Sequence, residues 1–121
     1  MGFSPQHREL IEAALAEAGG THSVADIERG IAENRYQFWP GLASIIVTEV
    51  VQYPQKKAAH CFLAAGELEE IDAMRTWIEG WAQSIGCSSA SICGRKGWER
   101  KLSVAGYKMS AVWLEKELAN V

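Results

Sequence analysis

Residues Leu42 to Gln52 constrain the fold more than any other stretch of the chain. Ile45, Ile46, Val47, Val50 and Val51 are β-branched, and the run lacks polar relief, so it predicts a strand buried on both faces. Pro54-Gln55-Lys56-Lys57 reads as a hairpin turn, and Ala58 to Ala65 returns as the next strand until Gly66 breaks it. A strand pair buried on both faces needs helices on both sides of its sheet.

The flanking sequence supplies them. Ser4 caps a first helix ending near Ala18, Pro5 is pre-set for its first turn, and Gly19-Gly20 stops it. Ser23 caps a second, to about Glu33, with Val24, Ile27 and Ile31 at helical spacing. Tyr36-Gln37-Phe38-Trp39 is a short strand closed by Pro40-Gly41. Leu68 to Ile85 is the best helix: Leu68, Ile71, Met74, Ile78, Trp81, Ala82 and Ile85 form one stripe, and Gly86 stands where a left-handed cap belongs. Ser88 to Cys93 is a further short strand, Lys96 to Val104 a basic helix, and Tyr107 to Leu118 a last strand with its tail. The expected architecture is a single α/β (α+β) domain over 1–121, a mixed sheet of about five strands flanked by helices in the order α-α-β-β-β-α-β-α-β.

At 121 residues one core is the natural expectation. A net charge of −3 argues against non-specific nucleic-acid binding by the whole domain, although a local basic patch is compatible with it. No apolar run approaches the roughly 20 residues of a spanning helix, so no membrane role is expected. The first residues show no signal-peptide pattern. Cys61, Cys87 and Cys93 lack CxxC spacing and read as reduced, buried thiols of a cytoplasmic folding compartment; with His60 they make no metal set.

Two constellations carry chemistry. Glu49 and His60 face each other if the hairpin pairs symmetrically around its turn, and a carboxylate–histidine pair is a general-base arrangement. The alternative is a solvated glutamate beside a packed histidine. Arg95, Lys96, Arg100 and Lys101, against Glu99 alone, make a basic segment around Trp98. It suits phosphate, a nucleic-acid backbone or an acidic partner, whereas Trp98 and Leu102, at i and i+4, suit packing on the sheet. Trp77 lies off the main stripe of the long helix and Trp39 flanks a turn. Either one, if exposed, marks an interface.

Gly94-Arg95-Lys96-Gly97-Trp98 through Gly106-Tyr107, together with Phe38-Trp39-Pro40-Gly41 before the Val/Ile-rich strand, resembles small GNAT-like (acetyltransferase-fold) proteins of tailed bacteriophages. The element order looks like a GNAT domain without its first strand. The resemblance implies acetyl-CoA bound by a Gln/Arg-x-x-Gly-x-Gly/Ala loop before the long helix, with phosphates on the helix N-terminus. Here that segment is Ala64-Ala65-Gly66-Glu67-Leu68-Glu69-Glu70-Ile71-Asp72, with one glycine, no Arg or Gln, and four carboxylates. Like charges about 4 Å apart repel by roughly 4 kcal/mol at an effective dielectric near 20. The family's general-acid tyrosine falls on Leu102 or Lys101.

The expectation is therefore a scaffold without cofactor or catalytic residues. It would serve as a virion-associated or assembly module, in the virion or the host cytoplasm. Its partners would be further copies of itself or other phage structural proteins, reached through Trp39, Trp77, Arg95, Lys96, Trp98 and Arg100. The rivals are an acetyl-CoA-dependent N-acyltransferase with a divergent loop and Glu49 or His60 as base, and a host-takeover factor binding an enzyme or nucleic acid through Arg95, Lys96 and Arg100.

Overall fold

A computed structural model describes residues 3–94 and 97–119. The chain runs α1 (Pro5–Glu17), α2 (Val24–Ala32), β1 (Tyr36–Pro40), β2 (Ser44–Gln52), β3 (Lys57–Gly66), α3 (Leu68–Ser84), β4 (Ser89–Ile92) and α4 (Trp98–Ser103). The strands form one sheet in sequence order, β1-β2-β3-β4. The first two pairings are antiparallel; β3 and β4 run parallel, joined by α3 as the crossover such a pair requires.

Local signals place the helix ends. The Ser4 hydroxyl accepts from the His7 N–H, and Pro5 opens α1. At α2, Ser23 and Asp26 satisfy each other's backbone N–H in a reciprocal capping box. Gly86, at φ +88°, lets the chain turn out of α3.

Each face of the sheet has its own core. On one, Ile45 and Val47 of β2 meet Leu63 and Ala65 of β3 beneath Ile11, Leu15 and Ile27 of α1 and α2. On the other, Ile46 and Cys61 meet Ile71 and Ile78 of α3 and Trp98 and Leu102 of α4. A one-residue bulge makes this division. Val47 opposes Leu63 and Thr48 opposes Cys61, so Phe62 has no partner. Alternation would put Cys61 and Leu63 on one face; the extra residue sends them to opposite ones.

Three expectations need correction. Tyr107 to Leu118 is not a strand: residues 108–119 have no regular structure, and the described residues form a sheet of four strands. The segment's apolar residues suit a strand, yet no backbone hydrogen bond among the described residues joins it to a neighbouring strand, so nothing holds it extended in register. The basic helix is shorter than Lys96 to Val104, covering Trp98–Ser103. Leu42 lies outside β2, because the Leu42 and Ala43 amides are held by Glu70 and the Gly41 N–H donates to the Ser44 carbonyl at 2.7 Å. No helix among the described residues is long and apolar enough to cross a membrane.

Candidate functional site

The chemistry-bearing side chains gather where β3 and β4 part. Their pairing runs from Ala58–Ser89 to Cys61–Ile92, and the Cys93 N–H closes it on the Cys61 carbonyl at 3.0 Å. Beyond it β3 continues to Gly66 paired with β2 but not with β4, leaving a wedge on that side that leads toward the N-terminus of α3.

The protein's own side chains occupy that wedge. Trp98 is buried in the cluster of Ile46, Cys61, Ile71 and Ile78, with Ala64 and Leu68 packed against it. Its ring lies so close to the Gly94 Cα that a side chain at Gly94 would collide with it. Burial raises the thiol pKa of Cys61 to about 12, with Glu79 adding to the shift, so this sulfur stays protonated and inert.

The carboxylates at the start of α3 are also committed. Glu70 reaches back to the β1–β2 turn and accepts from the Leu42 N–H at 2.7 Å and the Ala43 N–H at 2.9 Å. The Ser44 hydroxyl and these amides hold its carboxyl below the usual range. Glu69 takes Lys101 of α4 at 2.8 Å, an exposed pair that contributes little stability but spans from α4 to α3. Its partner accordingly holds the Lys101 ammonium above its ordinary pKa. Asp72 binds Arg75 at 2.8 Å. Gly66, at φ +119°, brings the chain against Ala43 and Ser44 where no Cβ fits, and buried Ser44 accepts the Glu67 N–H at 2.9 Å.

Leu102, one of the two positions expected for a general acid, is buried among apolar side chains; the other, Lys101, is the cation on Glu69. Tyr107 packs against the same cluster and donates to Glu79 at 2.7 Å; burial first, then this bond, raises its pKa.

Glu49 and His60 are direct cross-strand partners, as symmetric pairing predicts. His60 Nδ1 also lies 2.7 Å from Ser91 Oγ of β4, a neighbour that no local pattern announces. Burial lowers the histidine's pKa, and Glu49 opposes the shift. Trp39 is half-buried: its ring meets Trp81 edge-on at 5.5 Å, and its N–H donates to Thr48, whose hydroxyl donates to Gln37. Trp39 is thus tied to the sheet and to α3, and Trp98 lies in the core. Trp77 is 76% exposed. Arg100 is exposed, whereas Arg95 and Lys96 lie outside the described residues. The cysteines are free but not uniformly buried: Cys87 is half-buried and Cys93 exposed. Among the described residues no group of three His, Cys, Asp or Glu side chains is placed to hold a metal ion.

No protein-family model matches the sequence, and no curated protein matches it either. Solved structures do resemble the fold. TTHA1254 from Thermus thermophilus superposes at a TM-score of 0.61 with 14% identity, covering 100% of this chain and 99% of that one. An acetyltransferase of Trypanosoma brucei gives 0.57 with 10% identity over 93% of this chain and 95% of its own. A transcriptional regulator from Bacillus halodurans gives 0.60 with 14% identity over 79% and 77%. The fold is GNAT-like, a mixed sheet flanked by helices; at these identities the likeness extends to the fold alone.

Proposed function

We propose that this GNAT-fold protein is a protein–protein interaction module that carries out no acyl-CoA chemistry. The observation that supports this reading is the filled wedge between β3 and β4. Trp98 is buried with Cys61 of β3 and against Gly94, just past the end of β4, and the first-turn carboxylates of α3 are spent on Lys101 and the β1–β2 turn. A diphosphate at the α3 N-terminus would meet Glu69 and Glu70 in place of cations. An assembly role in a tailed-phage particle or its host cytoplasm is the concrete form of the proposal. Trp77 is the large aromatic side chain that α3 leaves exposed for a partner.

Isothermal titration with acetyl-CoA tests the reading. Heats of dilution alone are expected, and a Kd in the micromolar range would overturn it. The enzyme reading draws on one observation, the Glu49–His60–Ser91 row across three strands. If acetyl-CoA binds, His60→Gln should abolish turnover while leaving cofactor affinity unchanged.

A further inference from the structure

We infer that Ser91 and His60 form a nucleophile–base pair that hydrolyses small neutral carboxylic esters, with Glu49 as the counter-charge of the histidine. The inference goes beyond the interaction-module reading and is independent of it, because the reaction uses an ester and water and involves no coenzyme.

The sheet register assembles the three groups. Glu49 of β2 opposes His60 of β3, and His60 opposes Ser91 of β4, so one row crosses three strands on one face. Tyr36 of β1 continues the row beyond Glu49, and His22 Nε2 stands 3.5 Å from its hydroxyl. His60 Nδ1 lies 2.7 Å from Ser91 Oγ. A serine hydroxyl within hydrogen-bond reach of an unprotonated ring nitrogen is the arrangement that activates it as a nucleophile. Ser89 shares the face two residues back, but its partner is Ala58, which offers no base.

The surroundings assign the roles. Burial lowers the His60 pKa, so the ring is neutral at pH 7; with its proton on Nε2, Nδ1 accepts from the Ser91 hydroxyl. The Glu49 charge acts in the opposite direction and stabilises the imidazolium that forms once the serine gives up its proton. Ser91 is exposed and His60 half-buried, so an ester can reach the oxygen while the base is partly shielded from water.

Space and an oxyanion donor lie next to the nucleophile. Ser91 borders a groove of about 900 Å³ beside β4, whose walls include Trp98, Tyr107, Met109 and Trp113. Aromatic and apolar walls suit an uncharged acyl or aryl group. The Cys93 N–H donates inward to the Cys61 carbonyl at 3.0 Å, so alternation turns the Ile92 N–H away from β3. The amide that follows the nucleophile therefore faces the open side of β4, where it can donate to the developing oxyanion.

The reaction closes on these groups. Ser91 Oγ bonds to the ester carbonyl carbon as its proton passes to His60 Nδ1. Collapse of the tetrahedral intermediate breaks the acyl C–O bond, and the alcohol leaves with that proton. Water then adds to the acyl-serine and gives a proton to His60. The bond from the acyl carbon to Oγ breaks, the carboxylic acid departs, and His60 returns the proton to Ser91.

The test uses the full chain and p-nitrophenyl butyrate, with acetyl-CoA left out. The wild type should release p-nitrophenol, and peptide mass spectrometry of quenched samples should find butyryl on Ser91. Ser91→Ala and His60→Gln, each verified as folded by circular dichroism, should lower kcat/KM at least about 100-fold. Cys93→Ala, which removes the exposed thiol two residues on, should match the wild type. Glu49→Gln should move the inflection of the pH–rate profile to lower pH, which a loss of packing alone does not do; an unmoved inflection overturns its role as counter-charge. No release above buffer overturns the proposal, as does full activity in Ser91→Ala or butyryl on Cys93 instead of Ser91. Each of these leaves the interaction-module reading standing; acetyl-CoA binding does the reverse.

Discussion

The two faces of the sheet are built on different principles. Under α1 and α2 the core is apolar and closed, with Ile11, Ile27, Ile45 and Val47 fully buried and polar ties kept to its rim, where Gln6 and His7 of α1 meet the Leu42 and Gly41 carbonyls. Under α3 and α4 the packing is threaded with polar ties: Ser44 to Glu67, Glu70 to the β1–β2 turn, Tyr107 to Glu79. The same side borders the groove beside β4, which Ala82, Trp98 and Leu102 help to line. The first face is a scaffold whose parts are interchangeable by volume. The second holds the bonds that fix where the α3 N-terminus and the tail stand, so specific chemistry is concentrated there.

The largest effect should come from breaking the closed face. Ile45→Ala removes three carbons from a fully buried site, for an expected loss of about 4 kcal/mol. Leu102→Ala on the other face borders the groove, where neighbours can relax and water can enter, so about 2 to 3 kcal/mol is expected. Urea denaturation of both variants measures the difference. Equal losses would remove the distinction between the faces.

An intermediate effect tests the polar ties. Ser44→Ala removes the acceptor of the part-buried Glu67 N–H, which costs about 1 kcal/mol. It also withdraws the hydroxyl that does most to hold the Glu70 carboxyl low. A carboxylate with a lowered folded pKa contributes stability above its unfolded pKa and loses it as pH falls through the folded value. The variant's stability should therefore depend less on pH in the acid range, and the Glu70 carboxyl resonance should titrate at higher pH than in the wild type. An unchanged Glu70 titration would mean that the turn amides alone set it.

How much of this was legible in the sequence depends on the distance over which each feature is encoded. Ser4, Ser23, Pro5 and Gly86 act within a turn of themselves, so their caps and stops could be read directly. The Glu49–His60 pairing follows from a turn that sits symmetrically between two strands. Trp98 and Leu102 advertised their burial by i, i+4 spacing. The bond from Glu70 to Leu42 joins residues 28 apart and leaves no periodic trace. The bulge at Phe62 was equally silent, since one extra residue in a run of apolar and small side chains does not disturb composition. The tail misled for another reason: its β-prone residues are real, but a strand is a property of two segments, and among the described residues the tail makes no backbone hydrogen bonds to another strand. The acids at α3 were visible as charge, and only the fold shows them paired with Lys101 and Arg75 or bonded to the turn amides.

The smallest expected effect sharpens the comparison at the end of the sheet where both faces open toward solvent. His60, between Glu49 and Ser91, has a pKa lowered below 6.5 because burial disfavours its charged form more than Glu49 favours it. A base whose folded pKa is depressed binds fewer protons folded than unfolded just below 6.5, so stability falls as pH drops through that window and levels off below the folded value. Acidification from about pH 7.5 to about pH 5.5 should thus cost the wild type more stability than His60→Gln, which keeps a hydrogen-bonding group beside Ser91 but cannot acquire the charge. If the two proteins lose stability in parallel, solvent already reaches the imidazole. Glu49 would then act as its counter-ion, and the row across β2, β3 and β4 would be an open polar surface rather than the margin of the closed core.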